Sequence, residues 1–250
     1  MQIGLIGCGN MARALARGWQ RPVLCTDPYA DRARALAHEV GGEALASGAE
    51  VVERSDLVVL CHKPAQLQLV AGELAGSSAA VASILAATPL ADLKAAYPGR
   101  PVYRFIPSLP VEVCQGAVVQ AAGVEQDPEL DAQVSELFAS LGTLVVLDDG
   151  LVDVAMGLMS CAPAYVALVA EAQIDAGVRR GIPAAQGAEL VIQTLAGTAE
   201  LLRRRGNDTM AVRREVSSPG GLTAKGLDAL ERGGIRAAFS DALDAVLGEE

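Results

Sequence analysis

Aromatic residues make up only 3% of this 250-residue chain, which contains one Trp, three Phe and four Tyr. A core with so few rings must be aliphatic. Hydrophobic residues account for 51% of the chain, enough for a large aliphatic core. This composition excludes a disordered chain. It favours helices packed on a parallel sheet, or helices packed on one another.

Positive charge is also scarce, since 20 Lys and Arg residues face 30 Asp and Glu residues and the formal net charge is −10. Without a basic stripe to neutralise phosphates, no nucleic-acid partner is expected. The five cysteines form no CxxC pair and lie apart from any histidine cluster, so neither a disulfide framework nor a metal site is expected. Free thiols are typical of a reducing compartment, and we expect a cytoplasmic protein.

Long apolar runs are missing as well. None reaches about 18 residues, so the sequence predicts no membrane span. The chain begins directly with strand-like QIGLIG, without the basic and apolar regions of a signal peptide.

A glycine-rich turn is the first motif that the sequence does contain. The apolar run Ile3–Ile6 is followed by GCGNMA and then by helix-forming RALARGW. The pattern GxGxxA between a strand and a helix is typical of dinucleotide binding. Gly7 permits the tight turn, and Gly9 lets the backbone approach a pyrophosphate at the helix N-terminus. Ala12 allows the helix to pack closely on the strand.

An acidic residue follows the second predicted strand, Pro22–Cys25. Asp27 lies 18 residues after Gly9, close to the spacing of about 20 residues expected for an acid that binds the adenosine ribose. Asp27 can instead cap the helix that begins near Ala30, and the two roles are compatible. His62 has two interpretations, a ligand contact or a purely structural residue.

Strands and helices continue to alternate up to residue 149. Further strands are predicted at Leu57–Cys61, Ala80–Leu85, Val102–Phe105, Gly116–Gln120 and Thr143–Leu147. Further helices are predicted at Asp31–Val40, Ala49–Arg54, Ala65–Ala75, Leu90–Ala96 and Pro128–Leu141. This βαβ series predicts a Rossmann-type, doubly wound α/β domain over residues 1–149.

Residues 150–250 carry only helical patterns and predict a second, all-helical domain. Its helices are expected at Asp153–Gly177, kinked or begun at Pro163, and at Ala184–Arg204, Thr209–Glu215, Thr223–Arg232 and Ile235–Leu247. Helices rich in Ala and Val favour burial against a second chain, hence a homodimer. A compact monomeric helical cap is the alternative.

The turn SSPGGLT, residues 217–223, separates two of these helices. Pro219 restricts one backbone angle, and Gly220 and Gly221 permit positive φ angles. Successive N–H groups in such a turn, next to a helix N-terminus, can bind an anion. Thr223 either contributes to such a site or simply caps the helix, at or near its N-cap. The nucleotide motif on the same chain favours a carboxylate site.

At this point the chain resembles the pyrroline-5-carboxylate reductase family over nearly its full length. The resemblance rests on IGCGNMARAL, DLVVLCHKP, RFIPSLP, APAYVALVAEAQIDAGVRRGIP and, most specifically, VSSPGGLTAKGLDALERGG. It implies a Rossmann domain followed by a helical dimerisation domain of the 6-phosphogluconate dehydrogenase type. It also implies hydride transfer from NADPH or NADH to the C=N carbon of a cyclic imine, giving L-proline. No strong base is needed, since the cofactor supplies the hydride and the protein supplies placement.

The resemblance also assigns residues to two sites. Gly220 and Gly221 would donate N–H groups to the substrate carboxylate, and Thr223, the expected catalytic residue, would bond to the ring nitrogen. The expected substrate-binding residues are Ser218, Gly220, Gly221, Leu222 and Thr223. The expected cofactor-binding residues are Ile6, Gly7, Cys8, Gly9, Asn10, Met11, Asp27, Lys63, Pro64, Ala86, Ala87 and Ser108.

Some positions depart from the family pattern. This chain has Met159-Ser160-Cys161-Ala162 where the family usually has Ser-Gly-Ser-Gly, and Ser108 where the family usually has Asn. It has Gly48 in place of a common ribose-contacting Asn, and Ala86-Ala87 in place of the usual Ala-Gly. Asp27 would repel a 2′-phosphate and so favours NADH over NADPH, unless Arg32 or Arg34 offsets it.

Three alternative functions stay open. One is a reductase for a cyclic imine of another size, and another is a catalytically weak nucleotide-binding paralogue with a regulatory role. The third is a β-hydroxyacid dehydrogenase, which resembles this architecture but carries a catalytic Lys on the long helix. The lysines of this chain, Lys63, Lys94 and Lys225, all lie elsewhere. The residues do not decide between a dimer and a larger ring of dimers.

Overall fold

The structure, a computed structural model, describes residues 1–123 and 127–248. The chain forms two compact units, Met1–Pro163 and a second unit that begins at Ala164. Residues 150–163 belong to the first unit because Val152 and Ala155 are buried in its core. The domain limits expected from the sequence, 1–149 and 150–250, stay a prediction.

The first unit is built on one sheet with the order β3-β2-β1-β4-β5-β6-β7-β8. Its strands are β1 (Ile3–Ile6), β2 (Leu24–Thr26), β3 (Glu43–Ala44), β4 (Leu57–Leu60), β5 (Ala80–Ser83), β6 (Val102–Pro107), β7 (Gly116–Ala121) and β8 (Gly142–Leu147). The strand order reverses at β1, which pairs in parallel with β2 on one side and with β4 on the other. A ligand cleft is expected at such a reversal, beyond the carboxyl ends of the strands.

The helices of this unit cover both faces of the sheet. They are α1 (Asn10–Trp19), α2 (Ala30–Val40), α3 (Gly48–Glu53), α4 (Leu67–Glu73), α5 (Leu90–Ala96), α6 (Pro128–Ala139) and α7 (Val152–Ala155). Side chains of α1, α2 and α6 are buried on one face, and those of α3, α4 and α5 on the other. The doubly wound α/β fold predicted from the sequence is thus confirmed.

Three features of this unit were not predicted. The two-residue strand β3 is too short to give a sequence signal. Strand β7 runs antiparallel to β6, because residues 108–115 between them leave no room for a crossover helix. The third is the π-helical turn at Met156–Ser160, whereas the long helix begins at Ala162, next to Pro163, which was one of the two alternatives expected for the helix over Asp153–Gly177.

Four of the eight aromatic residues, Trp19, Tyr103, Phe105 and Phe138, gather on one face of the sheet. Phe105 on β6 stacks on Phe138 of α6 with ring centroids 3.8 Å apart, and Trp19 of α1 meets Phe138 edge-on at 5.6 Å. The Trp19 indole N–H donates to the Leu137 carbonyl at 3.0 Å. Phe138 therefore joins α1, α6 and the sheet.

The second unit consists of helices α8 (Ala162–Val178), α9 (Ala184–Arg204), α10 (Thr209–Val216), α11 (Leu222–Arg232) and α12 (Ile235–Leu247). Among its described apolar residues only Ala170 and Val212 are buried. Large apolar side chains are exposed along its helices, including Leu168, Leu190, Ile192, Leu230 and Phe239.

One stretch of the described residues, Asp149–Val178, is long and apolar enough to cross a membrane by length and composition alone, and an 18-residue window within it has a mean hydropathy of 1.7. Such a single stretch is weak evidence, because a helix covered by other protein passes the same test.

Phe138→Ala should lower the free energy of unfolding of the first unit by about 3–5 kcal/mol, because it empties the ring site shared by α1, α6 and β6. Denaturant unfolding followed by the fluorescence of Trp19, the single tryptophan, measures this. Leu69→Ala, at a side chain 65% exposed, is the control and should change stability by less than about 0.5 kcal/mol. A loss below about 1 kcal/mol for Phe138→Ala would contradict the packing described here.

Candidate active site

The glycine-rich turn lies where β1 ends and α1 begins. Gly7 has a φ of +99°, and a Cβ on it would lie 2.8 Å from the Cys61 carbonyl oxygen of the neighbouring segment. Glycine is therefore required there by the fold itself. Gly9 is different, because a Cβ on it would meet nothing within 4 Å. This open space beside the first turn of α1 fits a pyrophosphate approaching the backbone.

Asp27 fastens this turn to the end of β2. Its Oδ2 accepts the Cys8 N–H at 2.8 Å, and its Oδ1 accepts the Tyr29 N–H at 2.8 Å. The Gly7 N–H donates to the Thr26 carbonyl at 2.9 Å. Asp27 does not cap α2, because the N-cap of that helix is Tyr29.

Two adjoining cavities of about 350 and 400 Å³ lie beyond the carboxyl ends of β1, β2 and β4. Gly7, Asp27, Pro28, His62 and Gln66 line both of them. The first cavity is also lined by Ile6, Thr26, Ala46, Ser47, Gly48, Leu69, Val70 and Glu73, and the second by Gly9, Tyr29, Arg32, Cys61 and Lys63. Volumes of this order suit the parts of a dinucleotide.

The charged groups of the second cavity are well defined. The Arg32 guanidinium lies 4.5 Å from the centroid of the exposed Tyr29 ring. Within the described residues, Arg32 forms no ion pair, whereas Arg34 is paired with Asp31 at 2.5 Å outside the cavity. Of the two arginines that could offset Asp27, the structure thus brings Arg32 to the site.

The His62 ring is held by a hydrogen bond to the backbone of the next residue. Its Nδ1 lies 2.9 Å from the Lys63 carbonyl oxygen, and a carbonyl only accepts, so Nδ1 carries the proton. Burial lowers the pKa of the imidazole, more than the Lys63 carbonyl and Glu73 raise it. A neutral ring at the boundary of the two cavities is the result.

Seven predicted cofactor residues do not line these two cavities, as far as the described residues show: Cys8, Asn10, Met11, Pro64, Ala86, Ala87 and Ser108. Ser108 is 3% exposed, and its hydroxyl donates to the Ala117 carbonyl at 3.0 Å and accepts the Ala117 N–H at 2.9 Å. It therefore holds β7 beside β6. The cofactor roles of all twelve predicted residues, those lining the cavities included, stay predictions.

In the second unit, residues 217–223 form a turn that leads into α11. The Gly221 N–H donates to the Ser218 carbonyl at 3.0 Å, with Gly220 at a φ of +69°. Pro219 and Gly220 occupy the central positions of a type II turn. The Gly221 N–H, expected to bind a carboxylate, is thus used within the turn.

Other donors are available at the same place. Gly221 is the N-cap of α11, so Leu222 and Thr223 are its first two residues and their N–H groups have no intrahelical acceptor. Thr223 is not the N-cap itself, and in the described part of the chain its exposed hydroxyl makes no hydrogen bond. In the described residues the Gly220 N–H, also expected to bind a carboxylate, has no acceptor either, so the turn offers three N–H groups and one hydroxyl to a ligand.

A buried ion cluster was missed by the sequence analysis. Arg104 on β6 is 1% exposed, and its guanidinium pairs with Asp149 at 2.8 Å and with Asp153 at 2.6 Å. Asp149 also accepts the Leu90 N–H at 2.9 Å, at the start of α5. The i, i+4 spacing of Asp149 and Asp153 was the available signal, although it does not identify the arginine.

Comparison with known proteins agrees with this arrangement. Residues 149–249 match the family model for pyrroline-5-carboxylate reductase dimerisation, and residues 2–87 match that for NADP oxidoreductase, coenzyme F420-dependent. The pyrroline-5-carboxylate reductase of Thermus thermophilus is 35% identical over 260 residues, covering 98% of this chain and 95% of its own. That of Synechocystis sp. is 32% identical over 254 residues, with the same coverage of both chains.

The crystal structure of 1-pyrroline-5-carboxylate reductase from Streptococcus pyogenes superimposes with a TM-score of 0.91 at 28% identity, covering 100% of this chain and 97% of that one. The glycine-rich turn, the cleft at the reversal of strand order and the helical second unit define a nicotinamide-dependent oxidoreductase. More particularly, the chain belongs to the pyrroline-5-carboxylate reductase family.

Ala87→Gly should stabilise the first unit by up to about 1 kcal/mol. Ala87 has a φ of +48°, which strains a residue with a Cβ, and the gain exceeds the entropy that glycine adds to the unfolded chain. Ala86→Gly is the matched control, because Ala86 has no positive φ and its replacement should cost about 0.4–1 kcal/mol. Equal losses in both variants by denaturant unfolding would argue against backbone strain at Ala87.

Proposed function

We propose that this protein reduces 1-pyrroline-5-carboxylate to L-proline with a reduced nicotinamide dinucleotide. The proposal rests on the observation that one chain carries both a candidate dinucleotide site and a candidate carboxylate site. The first unit has a phosphate-binding turn beside a cavity, and the second has a turn with free N–H groups and the free Thr223 hydroxyl. Relatives at 32–35% identity over almost the whole chain bear this name.

The substrate turn has the donors that a cyclic imino acid requires. The Leu222 and Thr223 N–H groups bind the carboxylate, helped by the positive end of the α11 dipole. The Thr223 hydroxyl forms a hydrogen bond with the ring nitrogen and so fixes which face of the C=N bond is exposed. A protonated imine needs no protein base to accept a hydride, so orientation is the main contribution of these residues.

The dinucleotide is held by the turn Gly7–Met11 and by residues of the two cavities. When bound, its reduced nicotinamide supplies the hydride. The N–H groups at the start of α1 bind the pyrophosphate beside Gly9, where the backbone leaves open space. Asp27 and Gln66 supply acceptors for hydroxyl groups, and Tyr29 supplies an exposed ring face for the adenine.

We further propose a preference for NADH. The Asp27 carboxylate is fixed by two N–H groups and lines both cavities, so it repels a 2′-phosphate placed at the end of β2. Arg32 also lines the second cavity, and its positive charge opposes this preference. Its stacking on Tyr29 keeps its charge near the site, so NADPH is disfavoured rather than excluded.

We propose that the protein is a cytoplasmic homodimer assembled through its second unit. The exposed apolar side chains of α8, α9, α11 and α12 support this, because such surfaces rarely face water in an isolated chain. The matching dimerisation model over residues 149–249 supports the same surface. A larger ring of dimers would be built on such pairs.

Thr223→Ala should reduce kcat/KM for imine-dependent oxidation of NADH by about 10²-fold or more, because it removes the hydrogen bond that orients the ring nitrogen. Initial rates at saturating NADH measure this. Thr209→Ala is the matched control. Thr209 lies in the first turn of α10, where the N-cap residue Asp208 already accepts the Met210 and Ala211 N–H groups. Equal rates for Thr223→Ala and the wild type would overturn the substrate site.

Replacing Asp27 by Ser should raise the ratio of kcat/KM for NADPH to that for NADH by about tenfold, because it removes the charge that opposes the 2′-phosphate. Arg32→Gln should lower the same ratio, whereas Arg34→Gln should leave it unchanged because Arg34 is paired with Asp31. Parallel assays with both cofactors measure the ratios. An unchanged ratio in both the Asp27 and the Arg32 variants would contradict the proposed selectivity.

A further inference from the structure

We propose that Asp27 is a positioning residue for the phosphate-binding turn, and that it contributes to dinucleotide affinity even where the ligand offers it no hydroxyl group. This inference rests on the dinucleotide site proposed above. It differs from the usual role of an acid at the end of β2, which is to bind ribose hydroxyls directly.

The contact that carries the proposal is the hydrogen bond from the Cys8 N–H to Asp27 Oδ2 at 2.8 Å. Cys8 is 2% exposed, so with Asp27 in place its N–H is shielded from bulk water. A buried N–H left without a partner is costly, and a hydrogen bond to a charged group is stronger than a neutral one. The Asp27 carboxylate thus determines where the Cys8 backbone lies.

The other contacts of the turn involve Gly7 and the Cys8 side chain rather than the Cys8 N–H. The Gly7 N–H and the Cys8 thiol both donate to the Thr26 carbonyl, at 2.9 and 3.5 Å. Gly7 also lies tightly against the Cys61 backbone. Among the described residues, the Cys8 N–H is therefore the last N–H group of the turn with an acceptor in the protein before α1 begins at Asn10. The N–H groups that bind the pyrophosphate start at that point. Without the Asp27 carboxylate, the turn is free to shift just where it meets the ligand.

The carboxylate can serve the turn and the ligand together. Each of its oxygens accepts one N–H, from Cys8 and from Tyr29. A carboxylate has about four acceptor positions, so two are left for ribose hydroxyls. The two roles are separated by removing those hydroxyls from the ligand rather than the carboxylate from the protein.

The test compares the binding of ADP and of 2′,3′-dideoxy-ADP by calorimetry, with no imine present. Asp27→Asn should weaken the binding of dideoxy-ADP by about tenfold, because the amide cannot accept at both former oxygens. Any additional loss with ADP measures direct ribose contact. Unchanged affinity for dideoxy-ADP in this variant would overturn the proposal.

Two further variants make the test specific. Asp27→Ser keeps a short acceptor for the Tyr29 N–H but cannot reach Cys8, so it should lose dideoxy-ADP affinity to the same extent. Asp31→Asn is the matched control, because it makes the same chemical change at an exposed carboxylate whose one ion pair among the described residues is with Arg34. Its affinities for both nucleotides should equal those of the wild type.

Amide hydrogen exchange gives a readout that a general loss of stability would not reproduce. In the ligand-free protein, the Cys8 amide should be protected, and Asp27→Ser should accelerate its exchange at least tenfold more than that of the Leu5 amide within β1. Equal acceleration at both amides would contradict a positioning role. Failure of the wild type to bind ADP would overturn the dinucleotide site itself, and this inference with it.

Discussion

The junction of β1, β2 and β4 at Gly7 is the constraint on which the first unit depends. The turn must fit between the Thr26 carbonyl, which accepts the Gly7 N–H, and the Cys61 carbonyl, which leaves no room for a Cβ. These contacts fix where α1 begins and leave its N-terminus open beside two cavities. The reversal of strand order at β1 creates the cleft. Gly7 permits the tight turn that brings the N-terminus of α1 to this cleft, where it can bind a phosphate.

Much of this unit could be predicted because its signals are local. Continuous apolar runs indicated β4 and β5, and the GxGxxA pattern indicated the turn and a helix after it, although α1 begins three residues before the RALARGW segment. Strand β3 and the antiparallel β7 could not be predicted, since two residues give no periodicity and strand direction depends on connection length. The burial of Arg104 against Asp149 and Asp153 depends on contacts across about 45 residues, which no local pattern reveals.

The sequence indicated where the residues of the candidate site lie but not which hydrogen bonds their atoms make. Asp27 lies on both cavities as the spacing suggested, but its hydrogen bonds to Cys8 and Tyr29 became visible only in the structure. In the second unit, the SSPGGLT turn begins a helix as expected, although the Gly221 N–H is used by the turn itself. The family pattern names residues, whereas the hydrogen bonds decide which N–H groups a ligand can use.

The substrate carboxylate is essential for binding in this mechanism, because the Leu222 and Thr223 N–H groups at the start of α11 have no other assigned partner. The most direct measurement is the rate of NADH oxidation with 1-pyrroline-5-carboxylate and with unsubstituted 1-pyrroline, which has the same C=N bond but no carboxylate. We predict rapid turnover of the imino acid and at least 10²-fold lower kcat/KM for 1-pyrroline, as expected when buried or oriented polar donors lose their partner. Equal rates for both compounds, or no turnover of the imino acid, would contradict the account.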